Sequence, residues 1–218
     1  MRFVRSFRDP VSGLTHLFGA LLGAIGLVIL LAAHPGAGGV ERASILVYGV
    51  SLVLLYAASA IYHLARVSAE RQAFLRRLDH AMIPVFIAGS YTPFCLIALR
   101  GTTVGAGVLV AIWVLAAAGL VKSVFWLTAP RAVTAGLFVA MGWMVVFAVL
   151  PLAHALSGPT LILLFAGGLA YSAGAVVYAR KWPDPYPPMF GFHEVWHLFV
   201  LAGSALHFAA IARLFNGI

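Results

Sequence analysis

Long apolar runs alternate with short polar or glycine- and proline-rich segments along the whole chain. A helix of about 20 apolar residues crosses the hydrocarbon core of a bilayer. Seven runs of that length occur, at 13–33, 44–63, 79–99, 104–125, 132–150, 160–178 and 191–214. The connecting segments, such as "HPGAGG", "SGP" and "WPDPYPP", are short and rich in turn-forming residues. The pattern predicts an all-α polytopic membrane protein, a seven-transmembrane-helix bundle that forms a single domain over residues 1–218.

The composition agrees with a membrane protein. The chain is 63% hydrophobic and 9% charged, whereas about 25% of residues are charged in a soluble domain. The formal net charge of +8 does not indicate a nucleic-acid partner, because the basic residues lie in short connections between apolar runs. The single Cys95 excludes an internal disulfide and a thiolate-rich metal site. No small-residue cleavage site follows the basic N-terminal segment, so we interpret the first run as a retained membrane helix.

The basic residues also predict the orientation of the helices. One side of a seven-span arrangement collects Arg2, Arg5, Arg8, Arg66, Arg71, Arg76, Arg77, Lys122, Arg131, Arg180 and Lys181. The opposite side has only Arg42, Arg100 and Arg213. Because basic loops stay on the cytoplasmic side, the N-terminus is predicted to be cytoplasmic and the C-terminus outside. The expected location is the cell membrane, which for a bacterium is the inner membrane.

Ionisable side chains inside membrane helices are costly and therefore indicate function. The seventh span contains His193, Glu194, His197 and His207, and its "HEVWH" matches the H-E-x-x-H pattern of zinc metalloproteases. His193 and His197 are one helical turn apart, so their imidazoles can share one tetrahedral cation. Ser204 and His207 lie on broadly the same side of this helix, deeper in the membrane.

Two further spans carry polar residues at a similar depth. The second ends in "YAASAIYHLA", which places Ser59 and His63 on one helix face. The third opens with "RRLDHAMIPVFIAGSYTP", where Asp79 and His80 enter the membrane. The predicted orientation puts His63, Asp79 and the start of the seventh span at the cytoplasmic end. Three histidines and one carboxylate at one depth suit a zinc ion with an open position for water.

Each of these residues also has a structural interpretation. His16, His34 and His154 are expected to be interfacial, although His16 at the cytoplasmic end can also line the site. For His207 a hydrogen-bonding role in the core is favoured, and Asp79 can pair with an arginine of a loop. Gly19 and Gly23 in the first span fit the small-xxx-small pattern for close helix contact. Spacing alone leaves the metal site open.

Four segments together resemble a known family. "GLTHLFGA", "SAIYH", "RLDHAMIPVFIAGSYTPF" and "HEVWHLFVLAGSALHF" are similar to the bacterial hemolysin III proteins, which are grouped with the progestin and adiponectin receptors, the PAQR family. The resemblance implies seven helices with a cytoplasmic N-terminus and an intramembrane Zn²⁺ near the cytoplasmic face. It implies His63, His193 and His197 as zinc ligands, Asp79 as the residue that holds the metal-bound water, and Ser59 as a further site residue.

The sequence leaves four functions open. The wider superfamily includes alkaline ceramidases, so the first is a zinc-dependent hydrolase of lipid amides or esters, in which a membrane lipid is the substrate. Asp79 would accept a proton and Ser59 would donate a hydrogen bond to the oxyanion. The second is a non-enzymatic sensor or regulator of membrane state with structural zinc. The third is a pore-forming cytolysin, and the fourth is an intramembrane protease with Glu194 as general base.

Overall fold

The computed structural model of the chain describes residues 7–187 and 189–217, and this part contains seven helical spans long and apolar enough to cross a membrane. The predicted fold class is therefore confirmed, while Arg2 and Arg5 of the orientation argument lie outside the described residues. The helices are α1 (Pro10–Ala33), α2 (Gly39–Leu64), α3 (Ala69–Pro93), α4 (Thr103–Phe125), α5 (Arg131–Gly142), α6 (Val149–Ala155), α7 (Gly158–Arg180) and α8 (Phe192–Phe215).

The third span begins ten residues earlier than its apolar run. Helix α3 starts at Ala69, directly after the N-cap residue Ser68. The basic residues Arg71, Arg76 and Arg77 therefore lie in the first turns of α3, and the expectation that they lie in the connection is wrong. Hydropathy could not show this, because a polar helical extension has no apolar run. Asp79 consequently lies inside a helix and not at its start.

The fifth span is interrupted in its middle. Helix α5 ends at Gly142, a 3₁₀ segment follows over Trp143–Ala148, and α6 completes the span. Backbone groups inside a membrane need protein partners. Tyr91 of α3 supplies them, since its hydroxyl donates to the carbonyl of Gly142 and accepts from the Val145 N–H at 2.9 Å. The third span changes likewise, from α3 into a π-helix over Phe94–Ala98.

The first and last spans are neighbours, which brings distant parts of the sequence together. Helix α1 packs along α2 and also contacts α8, and α7 packs along α8. Gly19 allows this close approach, because a Cβ there would lie 2.8 Å from Leu201 Cδ2 and 3.0 Å from the Tyr56 ring. A Cβ at Gly23 would make only ordinary contact, 3.4 Å from Leu52. The end of α2 and the starts of α1 and α8 thereby meet in one region.

Candidate metal centre

Three histidine rings meet where the end of α2 lies beside the first turns of α8. His63 contributes from α2, and His193 and His197 contribute from successive turns of α8. One ligand nitrogen from each ring lies within 4.8 Å of the other two. The Nε2 atoms of His63 and His193 are 3.3 Å apart. His63 and His197 are buried, so the cluster is shielded from solvent.

The spacing of the His63 and His193 nitrogens fits a transition-metal ion. Tetrahedral zinc with Zn–N bonds of about 2.0–2.1 Å places its ligand nitrogens about 3.3–3.4 Å apart. The 3.3 Å between His63 and His193 matches this value and is long for a hydrogen bond. Within the described residues, the buried Nδ1 of His197 also has no hydrogen-bond partner. Three imidazoles suit zinc and other transition metals, so the residues present can hold such an ion.

A carboxylate contacts His63 at the ring nitrogen that faces away from the cluster. Asp9, the residue before α1, places Oδ2 2.7 Å from His63 Nδ1. A carboxylate on the far nitrogen fixes the tautomer of a metal-binding histidine and its ring orientation, here with Nε2 toward the cluster. Burial acts to raise the pKa of Asp9, but the hydrogen bond with His63 and the nearby imidazoles outweigh it and hold that pKa below its usual value.

The sequence reasoning missed Asp9, although one signal was present. The chain has only six acidic residues, and Asp9 is the one that directly precedes Pro10 and the first membrane helix. An acid at the boundary of a membrane helix, at the predicted depth of the histidines, qualifies as a partner for one of them.

Glu194 has a structural role between α1 and α8. Its Oε2 accepts the backbone N–H of Gly191 at 2.7 Å and thereby caps the start of α8. Its Oε1 accepts the hydroxyl of Ser12 at 2.5 Å. The sequence did not identify Ser12 as a partner of Glu194. Because both oxygens of this buried carboxylate are engaged, Glu194 is not placed as the general base of a protease.

His16 is buried beside the histidine cluster. Its ring stacks on that of His197, with 3.6 Å between centroids and 8° between planes. Its Nδ1 lies 2.8 Å from the hydroxyl of Ser59, so these two residues form a pair beside the cluster. His16 and Ser59 are both buried.

A cavity of about 150 Å³ reaches the histidine cluster through His16, a wall residue whose ring stacks on that of His197. His16, Ser59 and Asp79 lie on its wall near the cluster, and His80 lines it as well. Asp79 is buried, and its Oδ2 lies 3.5 Å from His80 Nδ1. Among the described residues this places Asp79 beside a histidine and not against an arginine of a loop. The cavity wall thus carries a carboxylate and a hydroxyl in addition to His16.

The deeper polar residues of α8 make hydrogen bonds to neighbouring helices. Ser204 accepts the hydroxyl of Tyr56 at 2.7 Å and lies 2.9 Å from that of Tyr171, so it joins α2, α7 and α8. His207 donates from Nε2 to the carbonyl of Leu164 at 3.0 Å. These contacts agree with a hydrogen-bonding role of His207 in the core, while His207 also lines the cavity that His16 lines.

Comparison with known proteins gives the family. The family model described as "Haemolysin-III related" matches residues 5–208. The chain is 38% identical over 205 residues to the "Hemolysin-3 homolog" of Bacillus subtilis, which covers 93% of this chain and 92% of that protein. It is 37% identical to "Hemolysin-3" of Bacillus cereus, over 93% and 90% of the two chains. It is 30% identical to the rice "Heptahelical transmembrane protein ADIPOR2", over 83% and 86%. The chain is therefore a multi-pass cell-membrane protein that belongs to the hemolysin III family, with a more distant relation to the adiponectin receptor and PAQR proteins.

Proposed function

We propose that the chain is a zinc-dependent hydrolase of amide or ester bonds in membrane lipids. The observation that carries this proposal is the position of three converging histidines beside a cavity that also exposes a carboxylate and a hydroxyl. A stabilising cluster alone would not require a cavity at its side. A hydrolase needs space for the scissile bond next to the metal.

The proposed ligand set consists of the three converging histidines. His63, His193 and His197 would hold Zn²⁺, and Asp9 would keep the Nε2 of His63 directed at it. When bound, zinc supplies a water of lowered pKa and polarises a carbonyl oxygen. Three protein ligands leave a further position open, as in catalytic zinc sites.

Asp79 would act as the acid–base residue, and Ser59 would donate a hydrogen bond to the substrate. Asp79 is buried on the cavity wall and can accept a proton from an attacking water. If His16 Nδ1 carries the hydrogen, it donates to Ser59 Oγ at 2.8 Å. The Ser59 hydroxyl then keeps its own hydrogen for a substrate oxygen in the cavity. His16 would therefore position Ser59.

The cavity wall favours a lipid substrate over a peptide. Between its polar ends the wall is formed by apolar side chains, including Leu55, Ile83, Phe86 and Phe138. A single acyl chain would satisfy such a wall, whereas the backbone of a peptide would leave hydrogen-bonding groups without partners. The engagement of Glu194 with Ser12 and Gly191 further disfavours the protease.

The proposal can be tested with purified, zinc-loaded protein and a panel of lipid amides and esters that includes ceramide. Asp79→Asn should lower turnover by about 10²–10⁴-fold while zinc stays bound, because a positioned base contributes about that much. Glu41→Gln is the matched control, since Glu41 pairs with Arg100 near the opposite end of α2. If no lipid in the panel is hydrolysed by the zinc-loaded wild type, or if both variants behave alike, the hydrolase proposal is wrong.

The second candidate is a regulator of membrane state with structural zinc. The histidine cluster supports it as well, because it joins α2 of the α1–α2 pair to α8 of the α7–α8 pair. An ion at this place would act as a cross-link and contribute to folding stability. Under this alternative, chelation lowers the melting temperature of a protein that shows no turnover on any lipid.

A further inference from the structure

Two cationic side chains contact the wall of the 150 Å³ cavity from outside. Lys122, near the end of α4, donates from Nζ to Thr134 Oγ1 at 2.6 Å, and Thr134 is a buried wall residue. Arg131, the first residue of α5, places its guanidinium carbon 5.5 Å from the centre of the Tyr178 ring, which also lines the cavity. Both cations therefore lie at the edge of the cavity.

Further contacts place these cations at the end of the bundle that holds the histidine cluster. Ser123, the residue after Lys122, donates to the carbonyl of His80 at 3.3 Å, and His80 lines the cavity beside Asp79. The guanidinium carbon of Arg131 is also 5.3 Å from the centre of the ring of Phe192, the first residue of α8. The end of α4 and the starts of α5 and α8 thus meet beside the wall that carries the candidate catalytic carboxylate.

The protein positions both cations without neutralising them. Within the described residues, no ion pair with a carboxylate includes Lys122 or Arg131. The hydroxyl of Thr134 accepts one hydrogen bond from Lys122, whereas an ammonium group has three donors. Two aromatic rings attract the Arg131 guanidinium through their faces, and its exposed N–H groups stay available as donors. Both side chains are therefore held in place with donors left for an anion.

The neighbours of the two cations are typical of a membrane interface. Phe125 and Trp126 follow Lys122 at the end of α4, Val133 follows Arg131 on α5, and all three apolar side chains are exposed. Exposed aromatic rings at the end of a membrane helix lie at the headgroup level of the bilayer. Lipid phosphates lie at this level, and both ammonium and guanidinium groups form charge-assisted hydrogen bonds with phosphate. A lipid phosphate is therefore the anion that these surroundings favour.

We propose that Lys122 and Arg131 bind the phosphate group of an anionic phospholipid at the edge of the cavity. The phosphate oxygens accept hydrogen bonds from the ammonium and guanidinium groups, and the apolar part of the lipid contacts the exposed side chains beside them. In a phospholipid the ester or amide linkage lies only a few bonds from the phosphate. This inference deepens the proposed function by naming a phospholipid as the substrate class, and it rests on that function only for the step from bound lipid to substrate.

The site can be tested by binding, without any turnover. The probes are a short-chain phosphatidic acid and the diacylglycerol analogue with the same chains, both ether-linked so that they cannot be hydrolysed. Their affinities for purified, zinc-loaded full-length protein in a non-ionic detergent are measured by calorimetry. The phosphatidic acid should bind about 25-fold more tightly, because each cation near a membrane surface contributes about fivefold. Inorganic phosphate at millimolar concentration should not displace it.

Single variants connect this preference to the two cations. Lys122→Gln and Arg131→Gln should each weaken the binding of phosphatidic acid about fivefold, whereas Arg131→Lys should retain most of it. Arg71→Gln is the matched control, because it removes an exposed cation from the first turn of α3 and none from the edge of the cavity.

Four results overturn the inference: equal wild-type affinities for the two lipids, displacement by inorganic phosphate, unchanged affinity in both glutamine variants, or an equal loss in Arg71→Gln. If Lys122→Gln does not fold, Arg131→Gln decides, because Arg131 is exposed. Phosphate-dependent binding without turnover of any lipid would refute the hydrolase and leave the site intact. Lipid turnover without phosphate-dependent binding would do the reverse.

Discussion

The Asp9→Asn variant tests whether Asp9 supports His63 as a metal ligand or whether the three histidines merely lie close together. The change preserves the shape of the side chain that lies 2.7 Å from His63 Nδ1 and removes its charge. A hydrogen bond to a charged group contributes about 1.5–3 kcal/mol and a neutral one about 0.5–1.5 kcal/mol. Loss of such a partner behind a metal-binding histidine lowers metal affinity by about 10–100-fold. Because the Asp9 side chain is 34% exposed, water screens part of the effect, and we expect a weakening near tenfold.

The assay is competition for zinc against a chelator of known affinity, with protein in detergent at constant pH. Glu70→Gln is the matched control, because it removes one carboxylate from the exposed start of α3 and none from the cluster. The role assigned to Asp9 is refuted if Asp9→Asn binds zinc as tightly as the wild type. It is refuted equally if Glu70→Gln weakens binding to the same extent, because the effect would then be one of net charge.

Two further changes test other contacts. Glu194→Gln should retain the metal and lower the free energy of unfolding by about 1–3 kcal/mol, because both carboxylate oxygens accept hydrogen bonds that fix the start of α8; a protease would instead lose activity at unchanged melting temperature. Gly19→Ala should destabilise the protein by about 1–3 kcal/mol, because the added methyl group crowds Leu201. Gly23→Ala should be tolerated, because a Cβ there makes only ordinary contact. Equal effects of the two variants in thermal melts in one detergent would contradict this packing.

The spans follow from the sequence because apolar length is a local property. All seven apolar runs are helical in the structure, but features without an apolar signal were not predictable. The polar start of α3 depends on the cap at Ser68, and the break after Gly142 depends on the hydroxyl of Tyr91 from another span. The break is therefore decided by a contact between distant residues, whereas the start of α3 is decided by a local cap that hydropathy does not record.

The candidate site was predictable where depth and spacing sufficed. His193 and His197 share a helix face, and the predicted orientation puts His63 at the same depth, so their convergence could be expected before any coordinates. Asp9 and Ser12 could not be assigned in this way. Ser12 contacts Glu194 across 182 residues of sequence, and only the packing of the first span against the last brings the two together.

The metal content of the purified protein tests the central claim most directly. Elemental analysis after purification without chelators should find one zinc ion per wild-type chain, and none in folded His63→Ala or His197→Ala. His154→Ala, which changes a histidine at the end of α6 outside the cluster, should keep the ion. A wild type that holds no metal after incubation with zinc, or His63→Ala and His197→Ala variants that both retain it, would contradict a metal centre at these three histidines.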